Sequence, residues 1–154
     1  MSIEKVRAYF KNEGLEERIR EFDVSSATVE LAAQALNCEP RRIAKTLSFH
    51  VGERVVLAVL AGDAKIDNKK YKAQFGTKAK MLSREETGPL VGYDVGGICP
   101  FAINEGVEVY LDQSLKRFDT VYPACGSANS AIELTIPELE RHSRSKGWVD
   151  LSKI

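Results

Sequence analysis

Lys45-Thr46-Leu47-Ser48-Phe49-His50-Val51, then Gly52-Glu53, then Arg54-Val55-Val56-Leu57-Ala58-Val59-Leu60-Ala61 is the stretch that decides the fold. The first run alternates, with Leu47, Phe49 and Val51 on one face, as a half-buried strand does. The second is an aliphatic run rich in β-branched residues, which predicts a central strand buried on both faces. Gly52-Glu53 between them reads as a tight hairpin turn. Lys45 shares the parity of Leu47 and Phe49 and so points inward where the first strand begins. An ammonium there is costly to desolvate unless an anion or hydrogen-bonding partner offsets it. Two readings stay open: a lysine that snorkels to solvent, or one that faces a cleft and holds an anion.

Outward from this hairpin, Ile3, Val6 and Phe10 recur at helical spacing before Gly14, which predicts a first helix with a positive-φ stop. Residues 18–24 alternate like an exposed strand. Thr28 offers an N-cap to a helix running to Leu36, with Glu30 in its first turn. A lysine-rich helix is expected from Asn68 to Phe75, stopped by Gly76, and then a short strand near 79–82. Ser83-Arg84-Glu85-Glu86 and Thr135-Ile136-Pro137-Glu138 are capping boxes that start two further helices. Strands are expected at 107–111, 120–122, 131–134 and 148–150. Strands in hairpins and short-looped runs, without regular alternation with helices, give the class α+β with a mixed, largely antiparallel sheet.

A chain of 154 residues suits one domain that buries a core without disulfides or metal. Cys38, Cys99 and Cys125 are irregularly spaced, and charges at Glu4 and Lys5 stand where a signal peptide is apolar, so a reduced, cytoplasmic protein is expected. The longest aliphatic run falls far short of the ~20 residues of a membrane span. His50 and His142 lack ligand spacing to the cysteines, so neither metal nor cofactor is expected. The formal net charge of zero gives no long-range pull toward nucleic acid, and no DNA partner is expected. The charges are nevertheless uneven: Lys65, Lys69, Lys70, Lys72, Lys78 and Lys80 face only Asp67, and Arg41 and Arg42 precede them. That pattern suits a solvated helix face or a surface that tracks phosphates.

Gly92-Tyr93-Asp94-Val95-Gly96-Gly97-Ile98-Cys99-Pro100-Phe101 is the second unusual segment. Its glycines permit close approach, and amides left out of sheet pairing can aim at an oxyanion; a plain tight turn is the other reading. Pro123 to Ser130 is a loop of small residues.

Taken in order, Thr28 to Ala33, Ile43 to Leu47, Ala61-Gly62-Asp63, Gly92 to Phe101, Val109 to Asp112 and Ala124 to Ser127 resemble one family. The chain is similar to YbaK/EbsC-type aminoacyl-tRNA deacylases, free-standing relatives of the editing domain inserted in bacterial prolyl-tRNA synthetases. The resemblance implies a barrel-like mixed sheet with flanking helices, and metal-free hydrolysis of the ester between a wrong amino acid and the 3′ end of a tRNA. It implies that Lys45 is the essential lysine, holding the acceptor end, and that the backbone at Gly96, Gly97, Ile98, Cys99, Pro100 and Phe101 fixes the aminoacyl group, with Gly97 at the catalytic position. Phe22, Thr46, Asp63, Asp112, Gly126 and Ser127 are expected around the same pocket, and Arg42, Lys65, Lys69 and Lys70 on tRNA phosphates. The implied partners are the aminoacyl-tRNA acceptor end, with tRNA-Pro as the suggested carrier, and prolyl-tRNA synthetase. Cys99 replaces a serine common in relatives, Phe22 a tyrosine, and Ala124-Cys125 the Ser-Gly of members that clear cysteine. The rival functions are a noncatalytic tRNA- or nucleotide-binding module acting with a synthetase or regulatory partner, and a hydrolase of small esters.

Overall fold

The computed structural model describes residues 2–154. Its helices are α1 (Ser2–Asn12), α2 (Val29–Leu36), α3 (Asn68–Phe75), α4 (Arg84–Val91) and α5 (Ile136–Ser143). Its strands are β1 (Ile19–Glu21), β2 (Ile43–Val51), β3 (Arg54–Ala61), β4 (Lys65–Ile66), β5 (Glu108–Asp112), β6 (Thr120–Pro123), β7 (Ser130–Ile132), β8 (Leu134–Thr135), β9 (Gly147–Val149) and β10 (Ser152–Lys153).

The hairpin of β2 and β3 is the spine. Its antiparallel register runs from Ala44↔Ala61 to Val51↔Arg54, and Gly52 adopts the φ of 61° that so tight a connection needs. Val56 through Ala61 are wholly inaccessible, as the aliphatic run predicts. Around them the sheet order is β8-β6-β2-β3-β5-β9, curled into a half-barrel. β2 runs parallel to β6, and β3, β5 and β9 are parallel neighbours. Small antiparallel pairs β1-β7 and β4-β10 flank it, so antiparallel pairing still predominates among the described residues.

The helices cover this sheet for local reasons. α1 buries Val6 and Phe10, and the Phe10 ring meets Phe101 edge-on at 5.0 Å. Thr28 caps α2 by accepting from Leu31 N, and Asn37 ends it in the left-handed region. α3 is capped by Asp67 and stopped by Gly76 at φ 76°, and it buries Tyr71 against Phe49. Both capping boxes form.

Three expectations change in detail. The exposed strand at 18–24 shrinks to β1, because Phe22 N and Ser26 N bond to Asn129 O and Ala128 O of a loop instead of a strand. The strand at 131–134 breaks at Glu133, whose carboxylate accepts from Thr120 and Arg42. The strand near 79–82 is one bridge, Phe49↔Met81.

Candidate functional site

One edge of β2 carries β3 along almost its whole length, but the other is covered only at its ends. β6 pairs with Ile43 and Ala44, and the segment 80–82 pairs with Ser48 to His50 through His50 N→Lys80 O and Leu82 N→Ser48 O. Among the described residues no strand lies against Lys45, Thr46 and Leu47 on this side. Main-chain groups in an antiparallel ladder alternate between the two edges, so Thr46 turns its N–H and C=O the same way as Ser48 and His50, toward the gap. A cavity of about 320 Å³ opens there. Its walls are the entry to α2 (Ser26 to Val29), β2 from Ile43 to Ser48, Met81 and Leu82, the loop residues Val95, Gly96 and Ile98, and Tyr122, Ser130 and Ala131.

Lys45 sits in this wall, half-buried. Its ammonium donates one long bond, 3.4 Å, to Gly62 O, and no carboxylate pairs with it among the described residues. Desolvation holds its pKa below the ordinary lysine value, against the opposing pull of Asp63 and Glu30. Asp63 is engaged elsewhere, because both its oxygens accept from Arg117, at 3.1 and 2.6 Å. Gly62 is glycine for a packing reason: a Cβ there would lie 2.0 Å from Pro40 O. The close approach sets the carbonyl that receives Lys45. Two more polar atoms of the lining residues, Ser26 Oγ and Thr46 Oγ1, are buried without a partner. Unmet buried hydroxyls each cost about 1–3 kcal/mol, so the wall is built for polar groups that a ligand brings.

The glycine loop forms the facing wall, but not as its sequence suggests. Gly96, at φ 98°, lines the cavity. Gly97 lies behind it with its N–H bonded to Asp94 O at 3.0 Å, so that amide is not free to donate to a substrate. A Cβ on Gly97 would lie 2.8 Å from Ser127 N and Cα, so the residue lets two loop backbones touch. Gly126 and Ser127 are thus a buttress for the loop, outside the cavity lining. Ser127 Oγ bonds to Ser130 Oγ at 2.7 Å, and Ser130 lines the cavity.

Of the expected site residues, Lys45, Thr46, Gly96 and Ile98 come together around the cavity. Asp112 does not: it is fully buried and accepts from Ser114 N, Leu151 N and Ser152 Oγ, anchoring the C-terminal segment. Cys99 and Phe101 are core residues, and Pro100 faces a separate hollow beside α1 and α5. Phe22 packs on the cluster under α2. Burial pushes the Cys99 thiol up to about 12 and that of Cys125 well above its usual value, and neither lines the cavity, so a thiolate nucleophile has no place here. His50 is engaged by Glu86 at 3.0 Å. Arg42 is spent on Thr120 and Glu133, and Lys70 on Asp150 and Ser152, whereas Lys65 and Lys69 are exposed. The sequence reading missed Ser26, Tyr122, Ser130 and the lip residues Met81 and Val95. Only Ser26 left a local signal, its place just ahead of the Thr28 cap.

Comparison with known proteins identifies related chains and the shared fold. The aminoacyl-tRNA editing domain family matches residues 23–142. The uncharacterized protein YwhH of Bacillus subtilis (strain 168) is 54% identical over 154 residues, 99% of this chain and 98% of its own. The proline–tRNA ligase of Bacillus cytotoxicus is 27% identical over 148 residues, 95% of this chain but 26% of the ligase. A crystal structure reported as a candidate trans-editing enzyme for prolyl tRNA synthetase superposes with a TM-score of 0.88 at 26% identity, covering 99% of this chain and 98% of that one. The hypothetical protein APE2540 does so at 0.85 and 27%, over 97% and 99% of the two chains.

Proposed function

Because the chain belongs to the aminoacyl-tRNA editing domain family, we propose that it hydrolyses the ester of a mischarged aminoacyl-tRNA, acting in trans to the synthetase. The observation that carries this reading is the Lys45 ammonium, without a carboxylate partner among the described residues, at the rim of an open strand edge, beside a cavity whose described lining holds no carboxylate, histidine or thiol. Such a wall binds and polarises; its hydroxyls have no carboxylate or histidine among the lining residues to activate them as nucleophiles. Water is therefore the nucleophile, and its proton leaves through the substrate's own ribose hydroxyl. Water oxygen bonds to the ester carbon, the bond to the ribose oxygen breaks, and that oxygen takes up a proton.

Lys45 holds the acceptor end through phosphate or ester oxygen. Since the Gly97 amide is committed, the main-chain donor for the developing oxyanion is assigned to Thr46 N–H at the open edge, a role typically worth ~10²–10³ in rate. Gly96 and Ile98 orient the aminoacyl group from the other wall. Apolar and hydroxyl-bearing walls without a fixed anion suit a small uncharged amino acid. The similarity to prolyl-tRNA ligases makes tRNA-Pro the first carrier to test and prolyl-tRNA synthetase the first partner. The test is release of amino acid from alanyl, seryl, threonyl and cysteinyl tRNA-Pro by the parent and by Lys45→Ala. Release by the parent and not by the variant supports the reading; binding without ester loss across the panel replaces it with a noncatalytic module.

A further inference from the structure

The structure sorts the lysines of segment 65–80 into two kinds. Lys70 is tied down: its ammonium donates to Asp150 Oδ1 at 3.0 Å and to Ser152 O at 2.7 Å. Lys69, Lys72 and Lys78 are exposed, and with Asn68 and Ala79 they line a cleft of about 500 Å³ that contains no carboxylate. Among the described residues none of these three ammonium groups has a hydrogen bond or ion pair. The arrangement follows from the local fold. Tyr71 is buried against Phe49 and Phe75, which fixes the inner face of α3. Lys69 and Lys72, three apart, then share an outer face. Gly76, in the left-handed region, ends the helix and brings Lys78 back beside it.

Like charges gathered around one hollow repel each other and raise the local concentration of anions. The hollow is also close to the candidate active site along the chain. From Lys78 the backbone passes through Ala79 and Lys80, whose carbonyl is held by His50 N, to Met81 at the cavity lip. Three residues span at most about 10 Å. A polyanion whose end lies in the cavity is thus within a few residues' reach of the cleft.

We propose that Lys69, Lys72 and Lys78 form a second binding subsite, for backbone phosphates of the RNA strand whose aminoacylated end enters the cavity. The subsite rests on the proposed function for the identity of its ligand, but its test does not depend on catalysis. Affinity for uncharged tRNA is measured from 50 to 200 mM salt for the parent, for K69Q/K72Q/K78Q and for K70Q. Losing three phosphate contacts lowers the slope of log affinity against log salt by about 2, so over this range the parent loses about twenty-fold more affinity than the triple variant. On a mischarged tRNA that the parent cleaves, the triple variant shows a raised KM with kcat unchanged, as loss of uniform binding requires. K70Q keeps the parent's slope. A triple variant with the parent's slope, or a K70Q slope reduced as far as the triple variant's, overturns the proposal. If the parent cleaves no ester but the slopes differ as stated, the deacylase reading falls and the phosphate subsite stands.

Discussion

Replacing Lys45 by methionine separates binding chemistry from stability. The ammonium is half-buried and holds a single 3.4 Å bond to Gly62 O, and desolvation outweighs the attraction of Asp63 and Glu30. Its pKa is therefore lower in the folded chain than in the unfolded one, so the fold binds this proton less well and is penalised while Lys45 is charged. Methionine keeps most of the stem and removes the charge. The side chain is only partly buried and still meets water, which screens the effect. The expected gain is about 0.5–1 kcal/mol, at the low end for a stabilising substitution. For a chain of this size that is a rise in Tm of about 1–4 °C. The gain is greatest at neutral pH and shrinks as pH rises through the folded-state pKa toward 10.5, because the parent then sheds the charge itself. Thermal melts at neutral and alkaline pH, run beside a deacylation assay, read both effects. A variant that melts several degrees below the parent, or that still clears mischarged tRNA, would contradict the role given to Lys45.

The remaining predictions probe the walls and the anchors. Gly97→Ala places a Cβ 2.8 Å from the Ser127 backbone, so it should destabilise by ~1–3 kcal/mol and lower deacylation by shifting the Gly96 wall; a variant with parental melting and rate contradicts that packing. Asp112→Ala strands Ser114 N, Leu151 N and Ser152 Oγ and should cost about 3–5 kcal/mol in denaturant titrations, with kcat at low temperature close to parental because Asp112 is outside the cavity; a selective loss of kcat in a stable variant contradicts this. The Glu86 carboxyl is lowered to about 2 by Ser83 N and His50, so its contribution is complete above its ordinary 4.5 and is lost as pH falls toward 2. The Tm gap between parent and Glu86→Gln should close across that window, and a constant gap would show that the charge is irrelevant.

Much of the scaffold was legible because its signals are local. The β2-β3 hairpin follows from alternation, an aliphatic run and Gly52, and α2 and α5 follow from the Thr28 and Thr135 caps. Lys45 was legible as a charge with inward parity. The gap beside it was not, because it depends on where two distant partners stop: β6 at Ala44, and the 80–82 segment at Ser48. Tyr122 reaches the cavity through the pairing of β6 with Ile43, and Ser130 lies on β7, whose partner is β1 at Glu21. The resemblance carried Asp112 and Ser127 toward the pocket, yet one anchors the C-terminal segment and the other buttresses Gly97. Both support the site from behind, a role that spacing along the chain cannot distinguish from lining it. Within the lysine-rich segment, the difference between Lys70 and its neighbours depends on Asp150 and Ser152, about 80 positions away.

The most direct measurement is single-turnover release of amino acid from tRNA-Pro mischarged in turn with alanine, serine, threonine and cysteine, by the parent and by Lys45→Ala. The parent should release at least one small amino acid without metal, and the variant none above background. Equal rates for the two proteins, or no release by the parent from any of the four, would contradict the deacylase reading.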